Sequence, residues 1–114
     1  MKRPKYGNKP QVVDGVRFAS ISEMQRDRQL HTLQQAGVIR DLKRQPRFPL
    51  VVCGVKICTY VGDWEYIDTE GRLGALQPQD QRVVEDRKGV LTPAFKIKWA
   101  LAKALHPEIE WRLS

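Results

Sequence analysis

The sequence predicts a single α/β domain, a mixed β-sheet with helices packed on it and a small hairpin in front. Three observations predict it. Runs rich in Val, Ile, Tyr and Phe fill positions 46–67 and 82–88, broken by turn residues. Two stretches, 20–36 and 92–105, carry helix start and stop signals. A strand–helix–strand order at the C-terminal end gives a parallel pair with a crossover helix. The 114 residues are one domain's worth of chain, enough for one hydrophobic core.

Taken in order, residues 1–9 hold Lys2, Arg3, Lys5 and Lys9 and read as a flexible basic arm ahead of a domain spanning 10–114. Val12-Val13-Asp14-Gly15-Val16 is a hairpin signal, since Asp-Gly supplies a two-residue turn between β-branched runs. The first helix starts at Ser20, buries Leu30 and Leu33, and stops at Gly37. Glu23, Asp27 and Leu30 fall on one face of it, which puts acids in line with a core leucine. Pro46–Cys53 and Val55–Ile67 read as two strands joined by a tight turn at Gly54, and 68–81 as a loop with Gly71, Gly74 and Pro78. Arg82–Lys88 is the third strand. Thr92 then caps a second helix with Pro93 at its first position, running to Leu105. Ile109–Leu113 is the last strand. The two cysteines, Cys53 and Cys58, read as reduced, mostly buried thiols.

The chain is 41% hydrophobic and 29% charged, the balance of an ordinary globular protein. No apolar run is long enough to span a membrane, and the basic N-terminus lacks the apolar core of a secretory signal, so a cytosolic location is expected. A net charge of +7, from 20 Lys and Arg against 13 Asp and Glu, favours a polyanionic partner. Nucleic acid is the first candidate. An anionic membrane surface is the second, but the apolar side of the second helix is needed for the core.

The chemistry concentrates in Tyr60-Val61-Gly62-Asp63-Trp64-Glu65 and Val83-Val84-Glu85-Asp86-Arg87-Lys88. Side chains alternate along a strand, so Asp86 and Lys88 share a face with Val84 and Arg82, and Glu85 and Arg87 point the other way. Asp63 is expected inside the preceding strand, on the face of Val61 and Glu65. An acid within a β-rich run is unfavourable on its own. Two of them on successive strands, with a lysine two positions beyond the second, have a common cause in a divalent cation. Mg²⁺ takes one or two carboxylates plus phosphate oxygens and waters, and the lysine can place the attacking water or steady phosphate charge. Exposed strand charges making cross-strand pairs are the competing explanation. The sequence shows no Ser-His-Asp or Cys-His arrangement and no glycine-rich phosphate loop.

An Asp followed by Asp-x-Lys on the next strand resembles the PD-(D/E)XK nuclease superfamily. The set Lys5-Tyr6-Gly7-Asn8-Lys9, Asp14-Gly15-Val16-Arg17-Phe18, Ser22-Glu23, Gln45-Pro46-Arg47-Phe48, Tyr60–Asp63 and Val84–Gly89 resembles, more narrowly, a family of small phage- and prophage-borne proteins of unknown function, described as endonucleases or Holliday-junction resolvases. The resemblance implies a restriction-endonuclease-like core and a metal-dependent endodeoxyribonuclease using Mg²⁺ or Mn²⁺. Its substrate would be duplex or branched DNA, it would act as a homodimer, and it would work in the cytosol of a bacterial host. It implies Asp63 and Asp86 as metal ligands, Lys88 as the catalytic lysine, Glu23 as the first-helix glutamate near the metal, and the backbone carbonyl of Arg87 as a further ligand. Gly62 stands where the superfamily's name has proline. Glu23 also fits a capping box with Ser20. Arg82, Lys96 and the arm lysines and arginine are candidate phosphate contacts. A catalytically silent DNA-binding module and a phage structural protein are the alternative roles.

Overall fold

The computed structural model describes residues 11–13, 16–18, 20–69 and 80–114. The basic arm, the Asp14-Gly15 turn and most of the loop before Gln81 lie outside the described residues. The elements are β1 (Gln11–Val13), β2 (Val16–Phe18), α1 (Ile21–Gln35), β3 (Ile39–Arg44), β4 (Arg47–Val52), β5 (Val55–Val61), β6 (Trp64–Asp68), β7 (Gln81–Asp86), α2 (Pro93–Leu105) and β8 (Glu110–Leu113). The fold is mixed α/β, as the sequence indicates.

Both helices begin where their caps place them. The Ser20 hydroxyl accepts from the Glu23 N–H at 3.1 Å, and the Thr92 hydroxyl accepts from the Phe95 N–H at 3.1 Å. After α1 the chain turns through Gly37 at φ +80, a left-handed conformation that glycine adopts without penalty. The β1–β2 hairpin pairs Val13 with Val16, in the register an Asp-Gly turn requires.

The main sheet has the order β3-β6-β7-β8, antiparallel except for the parallel β7–β8 pair joined by α2. One face carries Leu30 of α1 against Ile39, Trp64, Tyr66 and Val83. The other face carries Val84 and Ile109 against Ala102 of α2 and against Phe48, Leu50 and Tyr60 of the β4–β5 hairpin. Phe95, Trp99 and Trp111 close around Tyr60, with ring centroids 5.6–6.4 Å away. Trp99 and Trp111 are therefore packing residues. Among the described residues no helix is long and apolar enough to cross a membrane.

Three features depart from the sequence reading. Ile39–Arg44 is a strand, β3, on the edge of the sheet. Its charges hide it: Asp41 takes a positive φ of 55, and a register shift between Arg40 and Lys43 breaks the alternation that marks a strand. The run Val55–Ile67 is two strands, because the ribbon bends at Gln45-Pro46 and Gly62-Asp63. Backbone pairing continues through the bend, with Gln45 N–H to Asp63 O at 2.9 Å and Gly62 N–H to Pro46 O at 3.0 Å. Asp63 thus occupies a corner instead of a strand interior. Cys53 is exposed rather than buried. It stands with Gly54 in the β4–β5 turn, both at positive φ (50 and 78), the geometry of a type I′ turn.

Candidate functional site

Gly62 explains the corner. A Cβ there would lie 3.0 Å from Val84 Cγ1 and 3.4 Å from Pro46 and Tyr60. Proline there would add that clash and remove the N–H bonded to Pro46. The bend puts Asp63 beside the end of β7, where its N–H reaches Glu85 O at 3.2 Å. Its Oδ2 accepts the Arg87 N–H at 2.8 Å.

Asp86 ends β7 and is fully buried. Tyr60, itself buried, donates its hydroxyl to Asp86 Oδ2. Lys88 Nζ lies 2.9 Å from Oδ1 and is only 30% exposed. Oδ1 therefore has a cationic neighbour, and the Asp63 carboxyl shares a hydrogen bond with Asp86. A buried carboxylate is costly in a low dielectric unless nearby charge and hydrogen bonds compensate it. The Lys88 ammonium supplies that compensating charge.

Asp63 completes the pair. Burial, then the adjoining Asp86 carboxylate, push its pKa up to about 8, with the negative charge of Glu23 adding to the effect and the Arg87 N–H opposing it. Two carboxylates this close cannot both ionise cheaply without added positive charge. A divalent cation would supply it, so the donor set fits a hard metal such as Mg²⁺. Burial and the hydrogen bond to Asp86 likewise push the Tyr60 phenol far above its ordinary range, which keeps it a donor.

The strand expected to reach Lys88 ends at Asp86, yet Lys88 still meets the Asp86 carboxylate. Glu85 faces the opposite side of the sheet. Its carboxylate takes Arg26 Nε at 2.6 Å, Arg26 Nη2 at 2.9 Å and the Tyr66 hydroxyl at 2.6 Å. Burial raises its pKa, but the Arg26 guanidinium and the Tyr66 hydroxyl outweigh that and hold it below the ordinary carboxylate value. Glu85 anchors α1 to the sheet.

Other expected site residues take different places. Glu23 lies in the first turn of α1, where its N–H donates to the Ser20 hydroxyl, and its charge acts on Asp63. Among the described residues it does not join a group of three ligands. Arg87 enters the site through its N–H, and its side chain reaches Ser22 Oγ at 2.6 Å. Arg82 pairs with Glu65 and lies over the Phe48 ring, 5.4 Å from its centroid, at the far end of β7 from Asp86. Lys96 is exposed on α2. Lys2, Arg3, Lys5 and Lys9 lie outside the described residues.

One participant, Tyr60, was not singled out from sequence, and Asp27 is buried in a separate cluster. Tyr60 could be found only by knowing that β5 crosses the end of β7. Asp27 did leave a signal, an acid in line with Leu30. It accepts Arg44 Nε and Nη2 at 2.8 Å each and the Trp64 indole at 3.0 Å. His31 lies 3.4 Å from Asp27 and 2.8 Å from Arg44.

A family model described as "Protein of unknown function (DUF1064)" matches residues 3–113. No curated protein and no solved structure matches the chain.

Proposed function

The chain belongs to that family of unknown function, and we propose that it is a divalent-metal-dependent DNA endonuclease of the PD-(D/E)XK kind. The observation that carries the reading is the meeting of Asp63, Asp86 and Lys88, with the two carboxyl groups hydrogen-bonded and Lys88 Nζ 2.9 Å from the buried Asp86 Oδ1. The resemblance of the ordered motifs and the net charge of +7 support it from the sequence side.

Asp63 and Asp86 would hold Mg²⁺ or Mn²⁺. Such an ion, when bound, supplies Lewis-acid polarisation of a phosphodiester and acidifies a water. The chain's own groups do the rest. Tyr60 ties down Asp86 Oδ2 and leaves Oδ1 as the presented donor atom. The Arg87 N–H fixes Asp63 Oδ2 in the same way. Lys88, released from Asp86, places its ammonium beside the attacked phosphate, where it orients the nucleophile and offsets developing negative charge. Surface lysines and arginines provide sequence-independent backbone affinity that weakens with salt.

Branched DNA as the preferred substrate, action as a homodimer, and a cytosolic, phage-related setting follow from the resemblance. The test is cleavage of a panel of four-way junction, flap, duplex and single-stranded DNA with Mg²⁺ or Mn²⁺. Wild type should cut at least one member, and Asp86→Asn and Lys88→Ala should not, while both still bind DNA. Variants that cut as well as wild type would refute the reading. Equal cutting of every member would remove junction resolution from it. A catalytically silent DNA-binding module would bind without cutting and ignore Asp63→Asn.

A further inference from the structure

A cavity of about 400 Å³ opens beside the carboxylate pair and shares Lys88 with it. Its walls are Thr59 and Val61 of β5, Ala94, Phe95 and Lys98 of α2, and Lys88 itself. The volume lies in the range of small-ligand pockets, roughly 300–1,000 Å³. Val61 is 40% exposed although apolar, so the cavity presents uncovered hydrophobic surface. Among the described residues no carboxylate lines it. Lys88 is held at the inner end by Asp86, 2.9 Å away, and by the Phe95 ring, 5.1 Å away. Lys98 stands four residues beyond Ala94, so α2 projects both toward the same opening. Among the described residues no acid pairs with Lys98.

An apolar wall between two lysines is complementary to a ligand with an apolar body and anionic ends. A nucleotide within a DNA strand has that chemistry. We infer that this cavity receives the nucleotide next to the cleaved phosphate, with Lys98 on the neighbouring phosphate and the base or sugar against Val61, Ala94 and Phe95. The inference rests on the nuclease reading for its reacting centre and goes beyond it in naming the form of the substrate. A paired nucleotide keeps its base in the stack and offers only its backbone edge. A concave pocket can take a base only from an unpaired or extruded nucleotide, and extrusion costs least where pairing is already lost. The preferred substrate is therefore DNA unpaired at the nucleotide beside the cut.

The probe is a duplex with one unpaired 2-aminopurine nucleotide, compared with the same duplex fully paired, titrated with the full chain in EDTA so that no cutting occurs. Wild type should bind the unpaired probe at least about tenfold more tightly and change its fluorescence. Ala94→Trp, at an exposed position, should fill the cavity and abolish both the preference and the fluorescence change. Lys98→Ala should reduce the preference and lower the salt dependence by about one phosphate contact. Should Ala94→Trp fail to fold, Lys98→Ala decides alone. Equal binding of both probes by wild type, or a preference untouched by these variants, overturns the inference. Because the readout needs no cleavage, a wild type that discriminates the probes yet cuts nothing would refute the nuclease reading and leave the subsite standing.

Discussion

Asp86→Asn should make the metal-free protein more stable at pH 8 while removing its response to metal. Asp63 titrates near pH 8 in the fold against an ordinary value of 3.8 because it is buried beside Asp86. A carboxyl raised in this way favours the folded state fully below its ordinary value and loses that contribution as pH rises through the folded value. Wild-type stability should therefore decline from this source between about pH 4 and pH 8. The asparagine keeps an acceptor for the Tyr60 hydroxyl and removes the neighbouring charge, so the decline flattens. Burial of Asp63 persists, and it accounts for a large part of the shift. The gain from removing the charge is then about 1–3 kcal/mol at pH 8. For a domain of this size that is about 4–13 °C in Tm. Saturating Mn²⁺ should raise the wild-type Tm, since binding at 100 times Kd contributes about 2.7 kcal/mol. It should leave Asp86→Asn unmoved. Thermal denaturation across pH with and without Mn²⁺ reads both effects. An Asp86→Asn protein less stable than wild type at pH 8 in EDTA, or equally stabilised by Mn²⁺, would refute the reasoning.

Three further outcomes follow from neighbouring contacts. Arg26→Ala should cost about 3 kcal/mol, because it strips the bidentate partner from fully buried Glu85. Glu85 has a lowered pKa, so its contribution is present above the ordinary carboxylate value and is lost on acidification. The difference from wild type in urea denaturation should shrink at low pH, and a constant difference would contradict it. Tyr60→Phe keeps the ring among Phe48, Trp99 and Trp111 but removes the donor to Asp86. Mn²⁺ affinity by calorimetry should weaken about 10- to 100-fold, and an unchanged Kd would count against the carboxylate being held for metal. Gly62→Ala forces a methyl within 3.0 Å of Val84 Cγ1 and should cost about 1–3 kcal/mol, seen as a lowered urea midpoint.

The parts of this molecule set by local chemistry are legible in its sequence. Ser20, Thr92 and Pro93 mark helix starts through their own caps. Alternation alone puts Asp86 and Glu85 on opposite sides of β7. What is not legible depends on pairing across distance. The bend at Gly62-Asp63 interrupts an unbroken run of β-formers, and only the glycine hints at it. The edge strand Ile39–Arg44 has too few apolar residues to show a period of two. Tyr60 joins the site because β5 crosses the end of β7, a fact of topology that no local pattern encodes. Asp27 is intermediate. Its place beside Leu30 signals that a buried acid needs partners, but Arg44 and Trp64 supply them from strands that the helix pattern does not mention.

The most direct measurement is a Mn²⁺-soaked crystal of the full chain with anomalous scattering recorded at the manganese edge. The account expects one strong peak between Asp63 and Asp86 Oδ1, at about 2.1–2.3 Å from each oxygen, with Lys88 Nζ moved off Asp86 and the Tyr60 hydroxyl still on Oδ2. A saturated crystal with no peak there, and Lys88 unmoved, would contradict it.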